Sequence, residues 1–221
     1  MYDLGSVTKN VSRFLLNWLT RNLLAGVVVY SCFLPIKYYN YWFSWHVILC
    51  TLGMIPLMTE ALMLFPSDEL WTTQTTRRQR YWIHGCLFLL GTILVSVGNI
   101  DTFYFLEDGY HLYTIHGITG LISMILFILS IFLGLMATYS QYLKHYLRPV
   151  WFKLAHNFVG LLGYVVGVVS LCYAYYTDWF VFYTSKESRL IALIATILGT
   201  LWTINGSLMS AYSQIRALLN Y

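Results

Sequence analysis

Long apolar runs, broken by short clusters of charged and turn-forming residues, dominate this chain. Six of them approach the roughly 20 residues that a helix needs to cross a bilayer. The pattern places them at approximately Asn22 to Tyr39, Trp42 to Phe65, Tyr81 to Ile100, His111 to Ala137, Val150 to Tyr175 and Leu190 to Ala211. The first is the least clean, because Arg21 and Lys37 bracket a short core and are expected to snorkel toward headgroups. The predicted fold class is all-α: one six-transmembrane-helix bundle occupying residues 1–221, with a four-helix core made of spans two to five, about residues 42–176.

Composition narrows the class. The chain is 58% hydrophobic and 10% charged, against roughly 25% charged residues in ordinary soluble domains. A water-soluble globule is excluded, and 221 residues leave no length for a separate extramembrane domain. The net charge of +4 reflects few acids as much as many bases. No basic stretch is interleaved with aromatics on a soluble surface, so nucleic acid is excluded as a partner and the lipid bilayer is the expected surrounding. Cys32, Cys50, Cys86 and Cys172 all lie in apolar runs and read as packing residues, with neither a zinc spacing nor a disulfide framework. The start, MYDLGSVTKN, lacks a cleavable leader pattern, so the first span is expected to double as the insertion signal.

Lys and Arg fix the expected orientation. Lys9, Arg13, Arg21, Arg77, Arg78, Arg80, Lys144, Arg148, Lys153 and Arg216 fall on one face, and only Lys37, Lys186 and Arg189 on the other. Positive loops stay inside, so both termini are expected in the cytoplasm. The glycosylation sequons at Asn10 and Asn205 then fall on the cytoplasmic side and within a span, and read as chance matches.

Four of the six histidines carry the chemistry. His46, His84, His116 and His156 each sit a few residues into the N-terminal end of spans two, three, four and five. Consecutive spans run in opposite directions, so His46 shares a level with His116 and His84 with His156. Two facing pairs result, one near each membrane surface. Imidazole is a good iron ligand, and one histidine on each side of a porphyrin fills both axial positions, leaving electron transfer as its chemistry. The expectation is two haems, held without covalent attachment because no CxxCH motif is present. With ligands about one turn in from each face of a 30 Å core, the irons would lie about 20 Å apart. Small residues follow each histidine at helical spacing: Cys50 and Gly53; Gly91; Gly120 and Ser123; Gly160, Gly163 and Gly167. These read as grooves for a flat macrocycle, against the competing reading of close helix packing.

The strings FSWH at 43–46, MTEALMLF at 58–65, LYTIHGITGL at 112–121 and KLAHNFVGLLGY at 153–164 resemble the cytochrome b561 family, most closely its short members. The resemblance runs from residue 43 to about 180. It implies six spans, two haems b per chain on histidine pairs like those above, cytoplasmic ascorbate as donor, and monodehydroascorbate or ferric iron as acceptor on the far side. The activity so implied is that of an ascorbate-dependent transmembrane oxidoreductase. An endoplasmic reticulum or intracellular vesicle membrane is the expected location, and a homodimer is compatible with the pattern. Two positions depart from the family. Val47 stands where a proline usually follows the ligand, and Tyr81 stands where many members carry a lysine thought to help bind ascorbate, with Arg77 and Arg80 near enough to substitute.

Other residues carry weaker expectations. Glu60, the one carboxylate deep in a span, lies fourteen residues after His46, hence on its face and about 21 Å further along. It is expected to accept the Nδ1 hydrogen of a ligand histidine or to relay the proton released by ascorbate. Arg77, Arg80, Arg148 and Lys153 surround the cytoplasmic mouth, and Lys153, one turn before His156, has the best claim on an anionic donor. Asp101, Glu107, Asp108 and His111 make the far mouth acidic, and His111, just outside His116, is the candidate to touch an acceptor. His145 is assigned no role. Two other readings compete: a proton-coupled transporter whose histidines relay protons, and a scaffold subunit without redox chemistry.

Overall fold

The computed structural model describes residues 4–65, 74–107 and 111–219. They form α1 (Leu4–Lys37), α2 (Tyr41–Leu52), a π-helical segment (Gly53–Met58), α3 (Thr59–Met63), α4 (Arg77–Phe105), α5 (Ile115–Thr138), α6 (Pro149–Ala174), α7 (Asp178–Tyr183) and α8 (Lys186–Leu219). Six helical units are long and apolar enough to cross a membrane, with α2, the π segment and α3 making the second. No strand occurs among the described residues. The chain is an integral multi-pass membrane protein.

The helices outrun the apolar stretches that announce them. Span one begins at residue 4 rather than 22, span three runs from Arg77 to Phe105, and span six from Lys186 to Leu219. Hydropathy marks only the lipid-facing length, whereas backbone hydrogen bonding continues a helix into the interface. Span four starts later than the pattern suggests, at Ile115, and leaves His111 in the preceding turn. Local chemistry sets these starts. Thr76 and Gln79 form a reciprocal capping box at α4, the Thr114 hydroxyl accepts the Gly117 N–H at α5, and Pro149 opens α6.

Packing divides the core into two hairpins. Span two lies against α4, and α5 lies along α6, while contact between the two hairpins is sparser. Glycines set the closeness. A Cβ on Gly53 would meet the Gly91 carbonyl oxygen at 2.6 Å, and one on Gly98 would meet Cys50 Sγ at 2.9 Å. On α6, Cβ atoms at Gly160 and Gly167 would meet the hydroxyls of Ser130 and Ser123 at 2.9 and 2.6 Å. The small residues following the histidines are therefore engaged in helix-to-helix contact, the packing role weighed beside their reading as grooves for a macrocycle.

Between the hairpins stand Phe88 and Phe127, edge to face at 5.5 Å, and a buried hydroxyl pair, Thr59 and Tyr164, at 2.9 Å. Buried threonines such as Thr92, Thr196 and Thr203 return their hydroxyls to the carbonyl four residues back, which satisfies them without water. Spans one and six pack together outside the core, where Gly199 admits Leu24 and Trp202 Nε1 donates to Asn17 Oδ1 at 2.5 Å.

Candidate functional site

The fold brings the four histidines together as two pairs. The His46 and His116 ring centres are 5.9 Å apart with planes at 79°, and those of His84 and His156 are 5.9 Å apart at 87°. Each pair spans the gap between hairpins, with one ring contributed by each.

Every ring is anchored within its own hairpin. His46 Nδ1 lies 3.0 Å from the Gly98 carbonyl oxygen on α4, and His84 Nδ1 lies 2.9 Å from the Ala61 oxygen on α3. In the second hairpin His116 Nδ1 meets the Ser170 oxygen at 3.0 Å, and His156 Nδ1 meets the Ser130 oxygen at 2.9 Å. A carbonyl can only accept, so each Nδ1 carries the hydrogen and each Nε2 keeps its lone pair. Serine hydroxyls support two of these contacts: Ser170 Oγ lies 3.0 Å from His116 Nδ1 and donates to the His116 oxygen at 2.8 Å, and Ser130 Oγ lies 3.3 Å from His156 Nδ1. Gly134 backs the His156 ring, since a Cβ there would stand 3.0 Å from Cε1.

The acceptors obey a spacing. Gly98, Ser130 and Ser170 each lie fourteen residues after the histidine of their own helix, which is four turns and about 21 Å. Ala61 lies fifteen after His46, and the π-helical segment absorbs the extra residue. These four acceptors escaped the sequence reading. The fourteen-residue offset, placing each at the depth of the opposite histidine pair, is the signal that points to them.

Other candidates are placed differently from expectation. The π segment swings the chain after it by about one residue, or 100°. Glu60 therefore leaves the His46 face and meets α1, where Arg21 Nε and Nη2 reach its two oxygens at 2.6 and 3.0 Å. It accepts no histidine hydrogen, because all four Nδ1 atoms face main-chain carbonyls. Arg21 correspondingly pairs with an acid instead of snorkelling. Arg77 Nε donates to the Tyr81 hydroxyl at 2.9 Å, whereas Arg80 Nε is buried and has no partner among the described residues. Lys153 is exposed one turn before His156. His111 stacks on Phe103 at 5.3 Å and 7°. Asp108 lies outside the described residues.

Two imidazole nitrogens bound to one iron at about 2.0 Å each would set ring centres about 6 Å apart, and both pairs fit that requirement. Fixed Nδ1–H groups and free Nε2 lone pairs are the donor set that a bis-histidine haem needs. No cluster of three or more His, Cys, Asp or Glu suited to a bare metal ion occurs among the described residues.

The family model for eukaryotic cytochrome b561 matches residues 45–181, which include all four paired histidines. Transmembrane reductase CYB561D2 of Mus musculus is 30% identical over 169 residues, 74% of this chain and 74% of that protein, and its Homo sapiens counterpart is likewise 30% identical. Lysosomal membrane ascorbate-dependent ferrireductase CYB561A3 of Mus musculus is 31% identical over 135 residues, 58% of this chain and 53% of that protein. No solved structure matches the chain. A family model spanning more than half of the sequence, over the segment that carries the paired imidazoles, makes this chain a member of the cytochrome b561 family.

Proposed function

We propose that this chain is a transmembrane oxidoreductase that carries single electrons from cytoplasmic ascorbate to monodehydroascorbate or ferric iron on the opposite side. The observation that carries the reading is the pair of imidazole couples, each 5.9 Å across, set about 21 Å apart along the helices. His84 with His156, and His46 with His116, would each hold one haem b, which would supply one-electron redox chemistry. The residues around the pairs orient rather than react. The four carbonyls fix each ring's tautomer and rotation, and the glycine-packed hairpins hold the carbonyls.

The basic end, with Arg77, Arg78 and Arg80, is assigned to the cytoplasm together with both termini, in a reticulum or vesicle membrane. Arg80, whose Nε has no partner among the described residues, and Lys153, exposed one turn before His156, would attract the ascorbate anion, while Arg77 is held by Tyr81. Glu60, bound to Arg21 near the His84 level, would take up the proton that ascorbate sheds with its electron. His111 would meet the acceptor beside the His46 and His116 pair.

The test uses proteoliposomes holding either a ferric chelate or an ascorbate-radical generator inside, with ascorbate supplied outside. Reduction of the interior cargo is expected, and His46→Leu and His84→Leu should each abolish it. The cargo reduced faster names the acceptor. No reduction, or reduction unaffected by both substitutions, would overturn the reading.

A further inference from the structure

Arg189 is an oddity. It is 9% exposed, and no carboxylate among the described residues lies within ion-pair distance of it; Glu187, two residues earlier, is exposed. It stands in the first turn of α8, where the helix dipole disfavours a cation. Glu187 lies close enough to feel this charge but is exposed to solvent, so their attraction offsets little of the cost of burying the guanidinium. What the guanidinium does is specific. Nη1 donates to the Thr184 carbonyl at 2.9 Å, to Thr184 Oγ1 at 3.1 Å and to the Val181 carbonyl at 3.4 Å. These groups form the C-terminal end of α7, whose last carbonyls have no partner within so short a helix. Thr184 Oγ1 in turn donates to the Phe180 carbonyl.

A six-residue helix does not persist alone, so α7 depends on what clamps it. Its aromatic residues lead to the histidine pair remote from the basic end. Trp179 lies 5.1 Å from the Phe43 ring, and Phe43 lies 6.1 Å from His46. Tyr183 stacks on Tyr38 at 4.2 Å. An aromatic layer thus caps the bundle over His46, and Arg189 fastens the element that carries it.

We propose that Arg189 is a positioning residue for the His46 and His116 centre: it holds α7 closed, and α7 presses Trp179 on Phe43 to keep water from that pair. The proposal rests on the reading that the pair holds a haem. Exclusion of water destabilises the more highly charged oxidised iron and so raises the reduction potential, one of the levers a protein has over a haem. Loosening α7 should lower the potential of this centre alone. The His84 and His156 centre, about 21 Å away, is the internal control.

The experiment is a redox titration of the purified, haem-loaded chain, followed by its visible spectrum, with hydrogen exchange measured over residues 178–184. Wild-type protein should titrate in two one-electron steps, and the step absent from His46→Leu identifies the centre concerned. Arg189→Gln should weaken reduction of that centre about tenfold, a fall of about 59 mV for one electron, leave the other step in place, and speed exchange in 178–184 at least tenfold. Trp179→Leu, with Arg189 intact, should move the same step, which keeps the proposal testable if the first variant does not fold. Movement of both steps or of neither, in whichever of these variants folds, would overturn the proposal. A wild-type chain lacking two steps would instead overturn the proposed function on which it stands.

Discussion

Gly134→Ala offers a sharp test of how the His156 ring is held. A Cβ at that position would lie 3.0 Å from Cε1 and 3.2 Å from Nδ1. Ordinary contact begins near 3.4 Å, so something must yield by about 0.4 Å. The ring is the nearest candidate, and it is held on one edge by the 2.9 Å bond from Nδ1 to the Ser130 oxygen. Moving it off α5 would stretch that bond to about 3.3 Å, past the usual range for N–H···O. The lost hydrogen bond is worth about 0.5–1.5 kcal/mol and overpacking typically costs about 1–3 kcal/mol. At 1.4 kcal/mol per decade, the larger figure corresponds to about a 5- to 150-fold loss in haem affinity at this one pair. In the haem-free chain the gain of about 0.5–1 kcal/mol from the cheaper ordering of alanine works against that same overpacking cost, so its midpoint temperature should not rise. Gly85→Ala is the matched control: it sits beside His84, yet a Cβ there meets nothing within 4 Å. The assay is haem content per chain by alkaline pyridine spectrum, with thermal unfolding of the haem-free protein. Titrated with haem, Gly134→Ala should fill the centre at the other end as wild type does and the one at His156 about 5- to 150-fold more weakly, while Gly85→Ala fills both as wild type does. Wild-type affinity at both centres in Gly134→Ala, or weakened binding in Gly85→Ala, would refute the reasoning.

Other expectations follow from single contacts. Glu60→Gln should leave both reduction potentials in place but slow electron entry from ascorbate and alter its pH profile; an unchanged rate across pH 5–8 removes Glu60 from proton transfer. Its ion pair with Arg21 is partly exposed, 29% and 30% for the two side chains, so the cost to stability should stay within about 1 kcal/mol, read as a small fall in midpoint temperature. Tyr164→Phe strips a hydroxyl from a buried pair between the hairpins and should cost about 1–3 kcal/mol, seen as a clear fall in midpoint temperature. An unaltered midpoint would show that Thr59 finds another partner.

What the sequence discloses here depends on the range of the physics involved. The apolar runs disclose the spans, because lipid imposes a local rule on every residue, and the antiparallel order of spans puts His46 level with His116 and His84 level with His156 without any knowledge of packing. Glu60 shows the limit of that reasoning. A 3.6-residue period carries it to the His46 face, but Pro56 sits in a π-helical segment and the period breaks there. The glycines show another limit: helical spacing puts Gly160, Gly163 and Gly167 on one face but does not say what covers that face. In the fold it is α5, joined at Gly167 by Met54 of the π-helical segment. Arg189 and α7 were the least legible, since the clamp depends on a turn whose end needs donors from a residue beyond it.

Haem stoichiometry tests the central claim most directly. The purified wild-type chain should carry two haems, and His46→Leu and His84→Leu should each carry one, with the lost centre differing between them. One haem or none in the wild-type chain, or two retained in either variant, would contradict the claim that these imidazoles clasp iron in two facing couples.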